Sequence, residues 1–295
     1  MEQDPGARWM ALMRRGAWDE AWALSDEALG PRDWTLPRHL QAVWDGSPLA
    51  GRRVLVRCYH GLGDTIQFIR LVAPLQAIAK DVTVWAQPAL IPLLATMRKA
   101  PRLLPLHDGT PEAEYDVDIE LMELAHALRI TPTTLPSRVP YLHPPAPPAR
   151  DKDALEVGLV WRAGDWGIRR SIPFDLLRPL AGIPGVRFNI LQRGPGVEEC
   201  APGVGVPSGS DDPLAAATLM RGLDLVVSID SFPAHLAGAL GVPVLLLLTE
   251  PADWRWMEGR DDSPWYPTMR LLRQERPGDW SVPLAALRAI LERGG

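Results

Sequence analysis

Two stretches carry residue types and spacings suited to holding phosphate and moving protons. The first, YHGLGDTIQF from Tyr59 to Phe68, follows the apolar run Val54-Leu55-Val56. Gly61 and Gly63 permit positive φ and a close ligand approach. A helix beginning near Asp64 offers free N–H groups to an anion. A dinucleotide loop asks for a third glycine and an acidic residue about 20 positions further on. Ile66 occupies the third glycine position, and the next predicted strand ends in Trp85-Ala86-Gln87 without a carboxylate, which argues against an NAD site. Asp64 then has two roles open to it, as N-cap of its helix or as a general base at the carboxyl edge of a sheet.

The second stretch, DLVVSIDSFPAHLAGALGVP from Asp224 to Pro243, reads as a buried strand ending at Asp230 and a helix after it. Ser231 is of a type that N-caps, and Pro233 falls where the first helical turn tolerates it. Gly241 is the expected stop. Ala234, Ala237 and Gly238 are small enough for the helix to lie close to its sheet. His235 falls in the first turn, either as a phosphate contact or as a satisfied structural histidine. Other acidic and histidine groups point to less. Asp116-Val117-Asp118 matches the short pattern of metal-dependent transferases but lies at an ordinary strand end, and His107-Asp108-Gly109 reads as a turn. Asp211-Asp212 and Asp261-Asp262 read as loop or cap residues. With six histidines and no H-x₃-H or C-x₂-C spacing, no zinc site is visible.

The elements that must position these residues alternate. Strands are predicted over 54–56, 82–86, 103–106 and 117–121, and helices over 64–79 and 89–97, which argues for βαβ crossovers and a parallel sheet. The proline-rich segment 140–150 reads as a stiff linker. Beyond it strands at 157–161, 186–191, 225–229 and 242–248 alternate with helices at 174–180, 213–223 and 233–240. A last helix, roughly 282–292, either closes the second domain or crosses back to the first. Residues 7–30 have helical periodicity, and GAWDEAW resembles half of a tetratricopeptide unit. This segment is either a plain helical hairpin capping the domain or a peptide-binding repeat. The expected division is a helical segment 1–48, a domain 49–145 and a domain 146–295.

Composition limits the partners. The 295 residues carry a net charge of −5 with scattered basic residues, which disfavours nucleic acid. Cys58 and Cys200 suggest no disulfide framework, so a reduced, cytoplasmic setting is the simplest expectation. No apolar run approaches the roughly 20 residues of a membrane span. The 12 tryptophans read mainly as packing residues, with one of the late group open to stacking on a base or sugar.

The stretch 224–243, together with GLGDTIQF, RRSIPF at 169–174, and DWRW and DSPWYP within 253–267, resembles the heptosyltransferase-like glycosyltransferases. It is most similar to the bacterial branch fused to tetratricopeptide repeats, and the resemblance spans residues 50 to 280 in order. It implies an α/β protein of GT-B architecture, with two Rossmann-like domains facing a cleft. A nucleotide-sugar donor would sit on the C-terminal domain and the acceptor on the N-terminal one, with no metal or other cofactor. Asp64 matches the family's general base, in a loop where His60, Gly61, Gly63 and Gln67 would face the acceptor. Arg170 and Ser171 match its diphosphate contacts. Asp230, Ser231, Phe232 and His235 match the phosphate- and sugar-facing helix start, and Trp161 and Gln192 end strands lining the cleft. Charge separation in glycosyl transfer calls for such a base and such cations. The 162–170 loop departs from the branch pattern and the repeats are reduced to about one. Two alternatives therefore stay open, a non-catalytic GT-B binding protein and a sugar-nucleotide epimerase.

Overall fold

A computed structural model describes residues 4–148 and 153–294. The chain forms two compact units. One runs up to Ser137 and includes Asp253–Glu258; the other comprises Arg138–Ala252 and the chain from Gly259 onward.

In the N-terminal unit, β1 (Arg53–Arg57), β2 (Asp81–Ala86), β3 (Arg102–Pro105) and β4 (Val117–Glu120) form a parallel sheet of order β3-β2-β1-β4. Val54, Leu55 and Val56 are all buried, as a continuous apolar run covered on both faces requires. The strand order reverses between β1 and β4. The single helix expected over 64–79 is instead α3 (Leu62–Phe68), a 3-10 turn and α4 (Val72–Ile78). Pro74 lacks the N–H that would continue the first helix into the second. Pro92 acts likewise in the next crossover, where only α5 (Ile91–Leu94) is α-helical.

The N-terminal residues form a hairpin of α1 (Pro5–Arg15) and α2 (Trp18–Glu27), the helical hairpin that was one of the two readings of this segment. Gly16 stops α1 with φ +82°, and a Cβ there would stand 2.5 Å from the Met257 methyl. Trp22 donates its indole N–H to the Ile130 carbonyl at 2.7 Å. Trp254 packs among Trp9, Trp18 and Phe68, with ring centroids 5.6, 5.7 and 6.5 Å away. The late segment Asp253–Glu258 thus helps cover the apolar stripe that a lone helical pair cannot bury by itself.

In the C-terminal unit, β5 (Leu155–Leu159), β6 (Val186–Ile190), β7 (Val206–Pro207), β8 (Leu225–Ile229), β9 (Val244–Leu248) and β10 (Met269–Arg273) form a parallel sheet. Its order is β10-β9-β8-β5-β6-β7, which reverses between β5 and β8. After α6 (Leu124–Ala127) of the first unit come α7 (Pro213–Met220), α8 (Phe232–Leu240) and α9 (Ser281–Gly294). The strand β10 carries no clear alternation and was not expected. The helix expected over 174–180 is two 3-10 segments, because Pro179 interrupts it. Of the two fates open to the last helix, α9 takes the first. Its Leu287 and Leu291 are fully buried in one core with Val157, Leu159, Val227 and Leu272.

The proline-rich segment is not a free linker. The Tyr141 N–H bonds the Ala239 carbonyl at 3.1 Å and Leu142 is buried, so the unit boundary lies at Ser137, upstream of the expected one. The end of that segment, Ala149 and Arg150, lies outside the described residues. Cys58 is buried and Cys200 partly exposed, both as free thiols.

Gly238 of α8 faces the ring of Tyr266, where a Cβ would meet Cδ1 at 2.5 Å. Gly238→Ala is therefore expected to destabilise the C-terminal unit by about 1–3 kcal/mol through overpacking. Urea denaturation followed by tryptophan fluorescence measures the change.

Candidate functional site

The C-terminal unit gathers its polar groups at the carboxyl ends of β5, β6 and β8, beside the reversal in strand order, where open α/β sheets bind ligands. Asp230 ends β8 and is 5% exposed. The Arg170 Nη1 lies 3.4 Å from Asp230 Oδ2, and His235 Nε2 lies 3.5 Å from Oδ1. The Nδ1 of His235 shares a 3.1 Å hydrogen bond with the Tyr266 hydroxyl. These contacts engage both ring nitrogens of a buried imidazole in the first turn of α8. Ser231 stands at the N-cap position, but its hydroxyl donates to the Ile229 carbonyl at 3.2 Å and makes no capping bond. The start of α8 is left without a side-chain cap, which suits an anion. Phe232, its first residue, is partly exposed.

Ser171 acts on the backbone: its Oγ accepts the Ala163 N–H at 3.1 Å and holds the loop after β5. Gly167 lies under the Arg170 guanidinium, and a Cβ there would meet Nη2 at 2.3 Å. The loop needs a glycine there for Arg170 to keep its place.

Two expected donor contacts are corrected. Trp161 is fully buried, its ring 4.7 Å from that of Phe174 and its indole N–H on Glu199 at 3.0 Å. Gln192 is also buried. Its Oε1 accepts the N–H groups of Trp161 (3.2 Å) and Arg162 (2.9 Å), and its amide donates to the Arg162 and Arg193 carbonyls. Both side chains stitch the loops after β5 and β6 together and have no surface for a ligand. Arg162, ion-paired with Glu199, belongs to the same stitch and carried no sequence signal.

In the N-terminal unit, the turn Tyr59–Asp64 leaves β1 beside the reversal against β4. The helix starts at Leu62, so Asp64 is its third residue rather than its N-cap. Its Oδ2 accepts the Gly61 N–H at 3.0 Å, capping from inside, and its Oδ1 pairs with Arg255 Nη1 at 2.7 Å. Gln67 is fully buried, with Oε1 at 3.3 Å from the same guanidinium, so it supports the turn from below rather than facing outward. Gly61 is the N-cap, and Gly63 lies inside α3.

His60 is partly exposed, and its Nδ1 stands 3.0 Å from Oε1 of Glu120, whose side chain is 2% exposed. The approach lacks the alignment of a good hydrogen bond and acts as a charge contact. The Glu120 carboxylate raises the His60 pKa above its ordinary value against the opposing effect of burial; Asp64 adds to the rise and Arg255 subtracts. Glu120 itself accepts the Tyr59 N–H at 3.3 Å and the Met122 N–H at 2.6 Å. Arg255 and Glu120 escaped sequence reasoning because each lies far along the chain from the turn it serves.

The acidic pair resembling a metal motif is committed elsewhere. Asp116 binds Arg53, which holds its pKa down to about 2, and Asp118 pairs with Arg57 at 2.6 Å and Arg32 at 3.2 Å. Of the late tryptophans, Trp256, Trp265 and Trp280 are buried with Trp254, as packing residues. No helix among the described residues is long and apolar enough to cross a membrane.

No family model matches the chain. Over 329 aligned positions it is 27% identical to Protein FlbA of Caulobacter vibrioides, covering 97% of this chain and 54% of that protein. The chain therefore spans about half the length of the curated relative it matches. Among solved structures, a glycosyl transferase family 9 protein from Veillonella parvula superposes with a TM-score of 0.59 at 13% identity, covering 77% of this chain and 87% of its own. The E. coli heptosyltransferase WaaC with ADP superposes with a TM-score of 0.57 at 14% identity, covering 82% and 100%. Likeness at this identity establishes the fold: the two Rossmann-like units are those of a GT-B protein.

The Asp64–Arg255 pair generates a stability prediction. A double-mutant cycle of Asp64→Asn and Arg255→Met, read by urea denaturation, is expected to show a coupling of about 0.5–3 kcal/mol. Simple additivity would mean that the pair contributes nothing to the unit.

Proposed function

We propose that this chain is a glycosyltransferase that moves a sugar from a nucleoside diphosphate to an acceptor hydroxyl. The observation that carries the reading is the C-terminal half-site. An uncapped helix start, the Arg170 guanidinium and a fixed Asp230–His235 pair meet at the strand-order reversal of one sheet. A leaving diphosphate gains negative charge as the glycosidic bond breaks, and a guanidinium with helix N–H groups stabilises that charge. In this reading Arg170 and the first turn of α8 hold the diphosphate, and Asp230 orients both Arg170 and His235. The charge at the phosphate is met by protein cations and dipoles, without a divalent ion. Ser231 and Phe232 shape the turn through their backbone.

Within this reading the chain is heptosyltransferase-like, and the similarity to a structure solved with ADP makes ADP the first nucleotide to try. The acceptor side falls to the Tyr59–Asp64 turn of the N-terminal unit, where the resemblance nominates Asp64 as base. The setting is a reduced, cytoplasmic one, in keeping with two free thiols. A second reading, a non-catalytic nucleotide-binding protein, is favoured by one observation: Arg255 already occupies the Asp64 carboxylate.

Thermal-shift titration with ADP-, UDP-, GDP- and dTDP-sugars tests the proposal. ADP-sugars are expected to raise the melting temperature, and Arg170→Ala to weaken their binding about tenfold or more, as loss of a charged hydrogen bond does. Absence of stabilisation by all four classes would reject the nucleotide-sugar site. Binding combined with no release of the nucleoside diphosphate would favour the second reading.

A further inference from the structure

A cavity separate from the diphosphate half-site opens at the carboxyl edge of the same C-terminal sheet, away from the strand-order reversal. It measures about 650 Å³ and is lined by the loops after β9 and β10 and by side chains of the 169–176 segment. All of its lining residues belong to the C-terminal unit, and none of Arg170, Asp230, Ser231 and His235 is among them. Two adjacent arginines part here: Arg170 reaches Asp230 at 3.4 Å, whereas Arg169 lines this cavity. Gln274, the first residue after β10, also lines it and is 4% exposed. Its Oε1 accepts the Glu250 N–H at 3.2 Å and the Gly278 N–H at 3.0 Å. Those bonds tie the two loops together and fix which end of the amide is oxygen. The other end, Nε2, is buried and has no hydrogen-bond partner among the described residues. A buried amide donor left unmet is destabilising, so on a cavity wall it is a demand for an acceptor oxygen.

The rest of the lining defines the molecule that would carry that oxygen. Arg169 and Glu250 are exposed at the cavity, and neither side chain is ion-paired or hydrogen-bonded among the described residues. Their charges cancel, which disfavours a lone phosphate or carboxylate. With Gln274 they supply both hydrogen-bond donors and an acceptor. Leu176, Pro251 and Trp280 add apolar wall. A sugar ring has the matching character: hydroxyls that donate and accept around its edge, and C–H faces that lie against apolar and aromatic surface. We propose that this cavity is a saccharide site, separate from the diphosphate half-site. Gln274 Nε2 and Arg169 donate to ring hydroxyls, Glu250 accepts from one, and Trp280, Leu176 and Pro251 face the ring. The site does not depend on the transferase reading. Where that reading holds, the cavity takes a sugar other than the one the nucleotide carries.

Saturation-transfer NMR on the full chain tests this, with free glucose, mannose, galactose and N-acetylglucosamine as probes. At least one is expected to bind, with a dissociation constant of about 1–10 mM, as suits a molecule of that size. Gln274→Glu keeps an oxygen for the Glu250 and Gly278 N–H groups and removes the amide donor. Arg169→Ala removes an exposed cation that the fold does not use. Each is expected to weaken binding about fivefold or more. Where Gln274→Glu fails to fold, Arg169→Ala carries the test alone. Arg170→Ala and saturating ADP are expected to leave sugar binding within about twofold, because they act on the other site. Binding of none of the four sugars, or binding that Arg169→Ala leaves intact, overturns the proposal. Displacement by ADP puts the sugar at the diphosphate half-site and overturns it too. Displacement by an ADP-sugar but not by ADP gives the cavity to the donor's own sugar and overturns its separateness. If ADP itself does not bind, the transferase reading fails on its own, and the saccharide result is read unchanged.

Discussion

An open parallel sheet offers a ligand room where its strand order reverses, because the helices that follow the two strands there depart to opposite faces and leave a crevice between them. Both units are built on that constraint. In the C-terminal unit the reversal lies between β5 and β8, and in the N-terminal unit between β1 and β4. The chemistry-bearing turns follow β5, β8 and β1 directly, with Glu120 at the end of β4. Buried apolar strands then act as rigid stems, and the polar side chains of the two turns follow their carboxyl ends.

What separates the two half-sites is how much of their polarity is already satisfied. In the C-terminal unit, Asp230, His235 and Tyr266 form a closed chain, whereas the first turn of α8 has no cap and Arg170 is partly open. Polar capacity remains where an anion would sit. In the N-terminal unit the carboxylate of Asp64 is spent on Gly61 and Arg255, and the His60 ring lies against the buried Glu120 carboxylate. Burial of Glu123, which accepts the N–H groups of Val43, Trp44 and Glu120, raises its pKa to about 7 and ties the chain before β1 to the end of β4. The turn therefore stands on a base of buried carboxylates.

Much of this was legible along the chain because its causes are local. The run Val54–Val56, the proline at the start of α8 and the glycine that ends it each dictate their own neighbourhood. Alternating strands and helices implied two parallel sheets, and Asp230, Ser231 and His235 could be placed around one helix start. Element lengths were less legible: Pro74, Pro92 and Pro179 each cut a helix that apolar periodicity alone would continue. Trp161 and Gln192 were misread because a strand-end position says nothing about which way a side chain turns, and both turn inward.

The sequence alone determined two Rossmann-like halves, the two glycine- and acid-bearing turns, and the residue types available for phosphate and proton chemistry. These follow from periodicity and from backbone preferences acting within a few residues. Only the tertiary structure decided that Asp253–Glu258 packs in the N-terminal unit, that Arg255 pairs with Asp64, and that Glu120 backs His60. Those pairings join residues 60 to 191 positions apart, and no local pattern encodes them. They arise because folding buries charged groups that must then find partners.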